Sequence, residues 1–382
     1  MKQIGIITHY YGSKNYGGVL QAYALCQFLR NQEFDAEQIQ FDKEKGESIK
    51  RRLGKVYRYA LSMPKRIRYK SVYKEIRDRE AKFAMFRDKQ IYHSKEVFAQ
   101  DSLSKLAKKY QLYITGSDQV WHPNAVCDAY LLDFGVDGVK KISYAASVAK
   151  DTLTAKERER YKKAFIDFVA ISVREKFALE LLQPIAPVEI QWVVDPVFLL
   201  RREEWQSLIG GKGDSEQYAL CYFLSNDPKE REIAKDYAKR KKLKLKVMPF
   251  LNEEISEDDL DYGDERIINA SPEEFIQLIQ NAEIVFTDSF HTTAFSLLFE
   301  RQFFVFERHC QSSMGSRIES LTELIEVQEH YCNTSDKMTL DYINKTASID
   351  YSKGFTAFEI MRKRSIDYLL GNVNKILEEV KR

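Results

Sequence analysis

Four short polar clusters, each placed just after an apolar run, hold the side chains of this 382-residue chain that could do chemistry. They supply a glycine pair, a carboxylate, a guanidinium and an imidazole. Such groups can together bind an anion and move a proton. In chain order the four groups are Gly17-Gly18, Asp118, Arg174 and His291.

The first cluster, Asn15-Tyr16-Gly17-Gly18, leads into a stretch with helical apolar spacing. Glycines let a backbone approach a ligand closely, and a helix N-terminus favours an anion. The pattern is not G-x-G-x-x-G, so a dinucleotide site is not indicated. A tight structural turn would explain the glycines equally well.

The second cluster is Gly116-Ser117-Asp118-Gln119-Val120-Trp121, which follows the apolar run Leu112-Tyr113-Ile114. A carboxylate beside small residues and an indole suits sugar binding, with Asp118 as a base and Trp121 as a platform. The alternative is that Asp118 only caps the helix that follows.

The third cluster centres on Arg174, directly after the apolar run Ile171-Ser172-Val173. A guanidinium that leaves a buried strand is costly unless an anion pairs with it. That anion is either a ligand phosphate or carboxylate, held by charge-assisted hydrogen bonds, or a neighbouring carboxylate in a salt bridge.

The fourth cluster is Asp288-Ser289-Phe290-His291-Thr292-Thr293, at a predicted strand end and helix start. Histidine is the side chain that exchanges protons most readily near neutral pH, so His291 is a candidate acid or base. A purely structural histidine is the alternative. No nucleophile elbow and no metal-ligand spacing occur, so we expect neither a metal nor a bound cofactor.

The elements that must position these clusters alternate strand and helix, which predicts two doubly wound α/β domains facing across a cleft. The prolines of Gln183 to Pro187 mark the boundary. The predicted units are an N-terminal domain over 1–185, a C-terminal domain over 188–350, and a terminal helix over 354–382 that packs back on the first domain. Ser271-Pro272-Glu273-Glu274 predicts a capped helix start in the second domain.

Composition is that of a globular protein, with 44% hydrophobic and 30% charged residues and five scattered cysteines. These features favour a reducing cytoplasm, and no apolar run reaches the length of a membrane span. Charge is uneven, because residues 45–89 hold 16 Lys and Arg against five Asp and Glu. We expect a helical block interrupted at Pro64, either a solvated face or a contact for an anionic membrane surface. A basic block can also bind nucleic acid, but no other feature of the sequence supports that function.

Taken together, the clusters resemble the polysaccharide pyruvyl transferase family. The matching stretches are Asn15 to Tyr23, Gly116 to Trp121, Tyr144 to Ser147, Ile171 to Glu175, Asp195-Pro196 and Thr287 to Thr292. The resemblance implies a GT-B-like fold, with phosphoenolpyruvate as co-substrate and a cyclic pyruvate ketal as product. Its acceptor would be a hydroxyl pair of a hexose in a surface polysaccharide precursor, such as a lipid-linked repeat unit or capsule precursor.

The resemblance also implies roles for individual residues. Arg174 and His291 are expected at the donor, with His291 as the acid, Arg174 as the anion ligand and Asp118 as the base. Ser289 stands where many members have arginine, and Thr292 where they have glycine, so Arg317 or Lys176 is expected to share the donor's charge. The full expected donor set is Arg174, Ser289, His291, Thr292 and Arg317, and the acceptor set is Asn15, Tyr16, Gly17, Asp118 and Trp121.

Two other functions stay open from the sequence. One is a glycosyltransferase that uses a nucleotide sugar on the same fold. The other is a scaffold without catalysis, built around the basic block of residues 45–89.

Overall fold

The first half of the chain forms a parallel sheet of seven strands in the order β3-β2-β1-β4-β5-β6-β7. The computed structural model describes residues 2–45, 49–210, 216–251, 256–308 and 315–381. The strands are β1 Lys2–Ile7, β2 Ala36–Phe41, β3 His93–Phe98, β4 Tyr110–Thr115, β5 Lys141–Ser143, β6 Phe168–Val173 and β7 Ile190–Trp192. The helices between them are α1 Tyr16–Asn31, α2 Ile49–Arg68, α3 Lys70–Gln90, α4 Ala155–Phe165 and α5 Lys176–Leu182.

The second half repeats the same winding in a six-stranded parallel sheet, β10-β9-β8-β11-β12-β13. Its strands are β8 Tyr218–Tyr222, β9 Lys244–Val247, β10 Glu265–Arg266, β11 Ile284–Thr287, β12 Gln302–Phe306 and β13 Tyr331–Cys332. Its helices are α6 Arg202–Ile209, α7 Pro228–Lys241, α8 Pro272–Asn281, α9 Phe290–Leu298, α10 Ser316–Leu324 and α11 Leu340–Lys345. The predicted α/β class with two parallel-sheet domains is confirmed.

Local signals in the sequence set several of these boundaries. The capped start predicted for the second domain is confirmed, since the Ser271 hydroxyl accepts a hydrogen bond from the Glu274 backbone N–H and the Glu274 carboxylate accepts one from the Ser271 backbone N–H. Thr154 and Glu157 form the same reciprocal cap at the start of α4. Such caps satisfy backbone N–H groups that the first turn leaves without partners.

Two boundaries differ from the sequence-based prediction. The strand β7 lies before the second domain and pairs in parallel with β6, so the first sheet extends past the boundary predicted at residues 185–188. The prolines there turn the chain without ending the sheet. In the basic block, α2 continues through Pro64 to Arg68, so the proline does not interrupt the helix as predicted.

The C-terminal helix α12, Thr356–Lys381, crosses back to the first domain. Ser365 Oγ accepts from the Val194 N–H at 3.0 Å, and the Tyr368 hydroxyl donates to the Ser143 carbonyl at 3.0 Å. Glu379 adds an ion pair with Lys140 at 3.4 Å. None of the helices in the described ranges is both long and apolar enough to cross a bilayer.

The two domains share an apolar interface as well as a cleft. The Tyr16 ring stacks on Phe275 of the second domain with 4.4 Å between ring centroids, and its hydroxyl donates to the Ala270 carbonyl at 2.9 Å. One hydrophobic cluster runs continuously from β1 through this contact to the second sheet. The interface therefore fixes how the strand ends of the two sheets face each other.

Candidate active site

The four polar clusters meet where the carboxyl ends of the strands face the cleft. In the first sheet, β1 and β4 are neighbours whose connections leave in opposite directions, and β8 and β11 have the same relation in the second sheet. Such switch points form crevices in doubly wound sheets. The segments that follow β1, β4, β6 and β11 carry Gly17, Asp118, Arg174 and His291, with Gly17 in the first turn of α1 and His291 in the first turn of α9.

Arg174 lies at the centre of the site with only 4% of its surface exposed. Its Nη1 donates to Asp195 Oδ2 at 2.6 Å, and its Nη2 lies 3.8 Å from Asp118 Oδ1. The salt bridge that the sequence left open as an alternative is therefore present. Its Nε and Nη2 atoms nonetheless make no hydrogen bond to any residue that the structure describes, which leaves donor capacity for a ligand.

His291 reaches from the second domain into this cluster of first-domain groups. Its Nε2 lies 3.5 Å from Arg174 Nη1 and 3.6 Å from Asp195 Oδ2. On the Nδ1 side the ring rests against Gly17, where a Cβ atom would overlap it. The glycine is thus needed for close approach of the two domains, rather than for a tight turn.

Asp118 adopts a backbone conformation that few non-glycine residues adopt, with φ 69° and ψ −174°. Such backbone geometry costs about 1–3 kcal/mol and is concentrated at functional sites. Its carboxylate lies against the first turn of α1, 3.3 Å from where a Cβ on Gly18 would stand. Because Asp118 makes no cap hydrogen bond to the turn that follows, the simple capping alternative does not describe it.

Both carboxylates of the site are held ionised. Burial alone would raise the pKa of Asp195, but His291 and Arg174 outweigh it and hold that pKa well below its usual range. The pKa of Asp118 is also lowered, because Arg174, His291 and His9 outweigh the effect of burial. Asp195 and Asp118 in turn raise the pKa of Arg174, against the effect of burial, so Arg174 keeps its charge.

Further cations surround the site on the second-domain side. Both Nη atoms of Arg317 lie 3.2 Å from the Gln119 amide oxygen when that amide is oriented to accept. Burial, followed by repulsion from Arg174, lowers the pKa of Arg317 to about 10. Arg308, just after β12, contacts Asp288 with Nε 3.3 Å from Oδ2. Lys176, the other cation considered from the sequence, has an exposed side chain.

Several expected donor contacts also help to build the helix that carries His291. Ser289 is the N-cap of α9, and its hydroxyl accepts from the Thr292 N–H at 3.4 Å. Thr292 is fully buried, and its Oγ1 has no hydrogen-bond partner within the described ranges. A donor contact for these two residues stays a prediction.

Two residues expected at the acceptor do not face the cleft. Trp121 is fully buried, packs on Phe165 and donates its indole N–H to the Tyr130 carbonyl at 3.0 Å. Tyr16 is 2% exposed and belongs to the domain interface. Both expectations were wrong because a large aromatic ring gains more from burial than from a place at a solvated rim. Asn15 is exposed beside the cleft, and its side chain caps α1 by accepting from the Gly18 N–H.

Three residues of the site were not selected from the sequence. Asp195, the hub of the ion-pair network, lay within the Asp-Pro stretch of the family resemblance but received no role. His9 lies close enough to Asp118 to affect its pKa, and its ring packs on Tyr130 with 4.5 Å between centroids. Arg308 follows β12 without a distinctive pattern around it, so only the sheet order reveals it.

No group of three or more His, Cys, Asp or Glu side chains that could hold a metal ion occurs in the part of the chain that the structure describes. Arg174, Arg317 and Arg308 are positive groups that can face a ligand. Asp118 can accept a proton, and His291 can carry one.

Solved structures share this two-domain fold, which is of the GT-B type. A putative UDP-N-acetylglucosamine 2-epimerase from Listeria monocytogenes is similar over 99% of this chain and 98% of its own, with a TM-score of 0.58 and 10% identity. The UDP-GlcNAc 2-epimerase from Neisseria meningitidis, bound to UDP-GlcNAc, matches over 100% of both chains, with a TM-score of 0.52 and 10% identity. The enzyme from Methanocaldococcus jannaschii covers 96% of this chain and 100% of its own, with a TM-score of 0.51 and 13% identity. At these identities the likeness shows the fold alone.

The sequence itself gives the family. Residues 15–309 match the family described as polysaccharide pyruvyl transferase, and the chain belongs to that family. The match spans Gly17, Asp118, Arg174 and His291, and ends before Arg317. A search of curated proteins gave no match.

Proposed function

We propose that this protein transfers pyruvate from phosphoenolpyruvate to two hydroxyl groups of one hexose unit, forming a cyclic ketal and releasing phosphate. The observation that carries the proposal is the buried Arg174 guanidinium, which lies 3.5 Å from His291 Nε2 across the cleft and has two nitrogens without a hydrogen bond to any described residue. A cation to bind the donor's anionic groups and an acid to protonate its enol carbon are the two groups that this chemistry needs.

The first half of the reaction activates the donor. His291 gives a proton to C3 of phosphoenolpyruvate, and the electron pair of the enol double bond forms the new C–H bond. C2 becomes electrophilic, and the oxygen of the first sugar hydroxyl attacks it. Asp118, ionised because its pKa is lowered, takes the proton of that hydroxyl.

The second half closes the ketal. The bond between C2 and the phosphate oxygen breaks, with its electron pair leaving on the phosphate, which takes the proton held by Asp118. The second hydroxyl attacks C2 and returns a proton to His291. Arg174, Arg317 and Arg308 would stabilise the donor's carboxylate and the charge of the departing phosphate. No metal and no cofactor enter these steps.

The second part of the proposal concerns the acceptor and where the enzyme meets it. We place the enzyme in the cytoplasm, at the inner face of the membrane, acting on a lipid-linked precursor of an exopolysaccharide or capsule. The support is the helix α2, whose 20 residues contain eight Lys and Arg and no Asp or Glu. Basic residues near an anionic bilayer each contribute about 1 kcal/mol of binding.

The experiment that tests the proposal incubates the protein with phosphoenolpyruvate and a panel of galactosides, and measures phosphate release together with product mass. Parallel reactions replace phosphoenolpyruvate with UDP-glucose, UDP-galactose or UDP-N-acetylglucosamine. Phosphate release that requires both phosphoenolpyruvate and a sugar is expected. Release of UDP with transfer of its sugar would instead support the nucleotide-sugar alternative on the same fold.

Substitutions of His291 and Arg174 test whether the protein is a catalyst or a scaffold without catalysis. His291→Ala and Arg174→Ala are each expected to abolish phosphate release. Full retention of activity in both variants would contradict the proposal.

A further inference from the structure

Asp118 is held in its strained backbone conformation by a neighbouring loop that takes no part in the reaction steps. This β5 loop, residues 144–149, follows β5, which lies between β4 and β6 in the first sheet. The Ser147 N–H donates to the Asp118 carbonyl at 3.0 Å, and the Ser147 carbonyl accepts from the Trp121 N–H at 3.2 Å. The position of Asp118 therefore depends on the conformation of the β5 loop.

The β5 loop is itself in a conformation that its residues do not favour. Ala145 has a φ of 54° and Ala149 a φ of 47°. Both values lie in the left-handed region, which glycine adopts readily and alanine does not. Strained residues of this kind persist only where surrounding contacts determine their conformation. The β5 loop thus needs a group that holds it in place.

Glu175 supplies the contacts that hold the β5 loop. A single oxygen of its carboxylate, Oε1, accepts from the Ser147 hydroxyl at 3.0 Å, the Val148 N–H at 2.8 Å and the Ala149 N–H at 3.0 Å. Hydrogen bonds to a carboxylate are roughly twice as strong as those between neutral groups. Glu175 therefore stabilises the strained end of the loop and the residue that bonds to Asp118.

The position of Glu175 rules out two simpler roles for its carboxylate. Glu175 is the N-cap residue of α5, but its side chain makes no cap hydrogen bond with that helix. It is also only 1% exposed, so the carboxylate lies beneath the cleft rather than on its surface. Burying a carboxylate is costly unless hydrogen bonds compensate it, and the described hydrogen bonds come from the β5 loop.

We infer that Glu175 is a positioning residue that, through the β5 loop, holds the Asp118 carboxylate where the base of the reaction must stand. Glu175 acts through Ser147 and touches no substrate. The inference rests on the proposed function for the role of Asp118 as the base. The coupling from Glu175 to Asp118 does not depend on the reaction and can be measured without it.

Two substitutions of Glu175 remove these contacts in steps. Glu175→Gln keeps an oxygen that can accept the three hydrogen bonds but lacks the negative charge, and Glu175→Ala removes all three. We expect kcat for phosphate release to fall about tenfold in the first variant and at least about 100-fold in the second, because a misplaced base transfers protons poorly. In Glu175→Gln, calorimetry is expected to show phosphoenolpyruvate affinity within about twofold of wild type, since the donor's ligands are unchanged. If Glu175→Ala is unstable, Glu175→Gln alone provides the test.

The matched control is Glu157→Gln, at a carboxylate that stabilises the continuation of the same connection between β5 and β6. Glu157 accepts from the Thr154 N–H at 2.7 Å and from Lys150 Nζ at 3.0 Å. Its substitution is expected to change kcat less than about twofold. Equal losses of kcat in Glu157→Gln and Glu175→Gln would show that any disturbance of this connection is sufficient, and would contradict a specific role for Glu175.

The pH profile distinguishes lost positioning from a general loss of stability. Against the effect of burial, Arg174, His291 and His9 lower the pKa of Asp118. If the carboxylate moves away from these groups, its pKa rises, and the acid limb of the kcat/KM profile moves to higher pH. This shift is expected in Glu175→Gln and not in the control. A lower kcat with an unmoved acid limb would contradict the inference.

Hydrogen exchange, followed by mass spectrometry on the full chain, separates this inference from the proposed function. In Glu175→Gln the amides of residues 116–121 and 145–149 are both expected to exchange at least about tenfold faster, while those of α7 keep their rates. Faster exchange confined to residues 145–149 would overturn the inference. If the two segments loosen together but wild-type protein releases no phosphate with any galactoside, the proposed function fails and the coupling stands. If Glu175→Ala keeps full activity, the inference fails and the proposed function stands.

Discussion

Asp195 organises the charges of the cleft, because Arg174, His291 and Ser117 all contact its carboxylate. The Ser117 hydroxyl donates to Oδ2 at 3.0 Å, the same oxygen that accepts from Arg174 Nη1. Its other oxygen accepts from the Val197 N–H, which ties it to the chain after β7. Asp195 is thus a positioning residue that fixes the guanidinium opposite the imidazole.

Asp195→Asn is expected to lower kcat/KM for phosphate release about 100-fold or more, and the free energy of unfolding by about 3–5 kcal/mol, because a buried guanidinium loses its partner. Kinetics and urea unfolding measure the two effects. The matched control is Asp341→Asn, which removes a carboxylate that is 76% exposed and paired with Lys345, itself 75% exposed. That change is expected to cost about 0–1 kcal/mol. Equal effects of the two variants would contradict the role of Asp195.

Gly17→Ala tests the close approach of the two domains. The added methyl group would overlap the His291 ring, so the ring must shift, and a displacement near 1 Å is expected to cost about 100-fold in kcat. The control is Gly371→Ala in α12, where an added Cβ meets nothing within 4 Å. There the higher helix propensity of alanine is expected to stabilise the protein by about 0.5–1 kcal/mol, with activity unchanged.

Glu230 gives a pH dependence of stability that is separate from catalysis. Burial, followed by repulsion from Asp288, raises the pKa of Glu230 to about 8. A carboxyl group with a raised folded-state pKa favours folding at low pH, and that contribution is lost as pH rises from about 4.3 to 8. Glu230→Gln is therefore expected to raise the free energy of unfolding by about 1–3 kcal/mol at pH 9 and to change it little at pH 4.

Urea unfolding at the two pH values measures this effect. The neighbouring Glu232, exposed on the same helix, provides the control Glu232→Gln. A gain at pH 9 no larger than that of the control would show that Glu230 does not hold its proton in the folded protein.

The sequence predicted those site residues whose chemical type and position after a strand or at a helix start both indicate a function. Arg174, His291, Asp118 and Gly17 follow apolar strands or begin helices, and the structure brings all four together. The sequence suggested Trp121 as a sugar-binding platform in the same way, but its indole is buried in the hydrophobic core. Asp195 and Arg308 become visible only when the sheet order is known, because their partners lie far away along the chain.

At the scale of the elements, helix α2 either binds an anionic membrane, as proposed, or is only a solvated basic face, and vesicle flotation distinguishes the two. Wild-type protein is expected to float with vesicles rich in phosphatidylglycerol at low salt, and to lose that binding as salt rises, because screening weakens attraction to the surface. Val56→Ser with Ile67→Ser is expected to reduce flotation severalfold. Ile166→Ser, at a residue 68% exposed after α4, is the control and should have no effect. Binding that ignores both anionic lipid and salt would contradict the proposal.

Elements with strong local signals were predicted best. The cap at Ser271 depends on Glu274, three positions later, so the sequence contains the whole interaction. The short strand Ile190–Trp192 was assigned to the wrong domain, since its membership depends on pairing with β6 rather than on its own residues. Likewise, β10 and β13 have only two residues each, which is too short for any periodic pattern.

At the scale of the whole molecule, the two sheets repeat one winding and turn their strand ends towards each other. The shared core through Tyr16 and Phe275 fixes this orientation, and α12 ties the end of the chain back to the first domain. Half of the site is carried by each sheet, so neither domain alone contains both Arg174 and His291. Catalysis is therefore expected to require the two domains together.

The most direct test of the central claim follows the carbon atoms of the donor. The full chain is incubated in D₂O with phosphoenolpyruvate labelled with carbon-13 at C2 and the best galactoside of the panel, and the product is examined by NMR. Pyruvyl transfer predicts that the labelled carbon becomes a ketal carbon bonded to two sugar oxygens, with one deuterium in its methyl group. A product without the labelled carbon, or label released as free pyruvate in the presence of every sugar, would contradict the account.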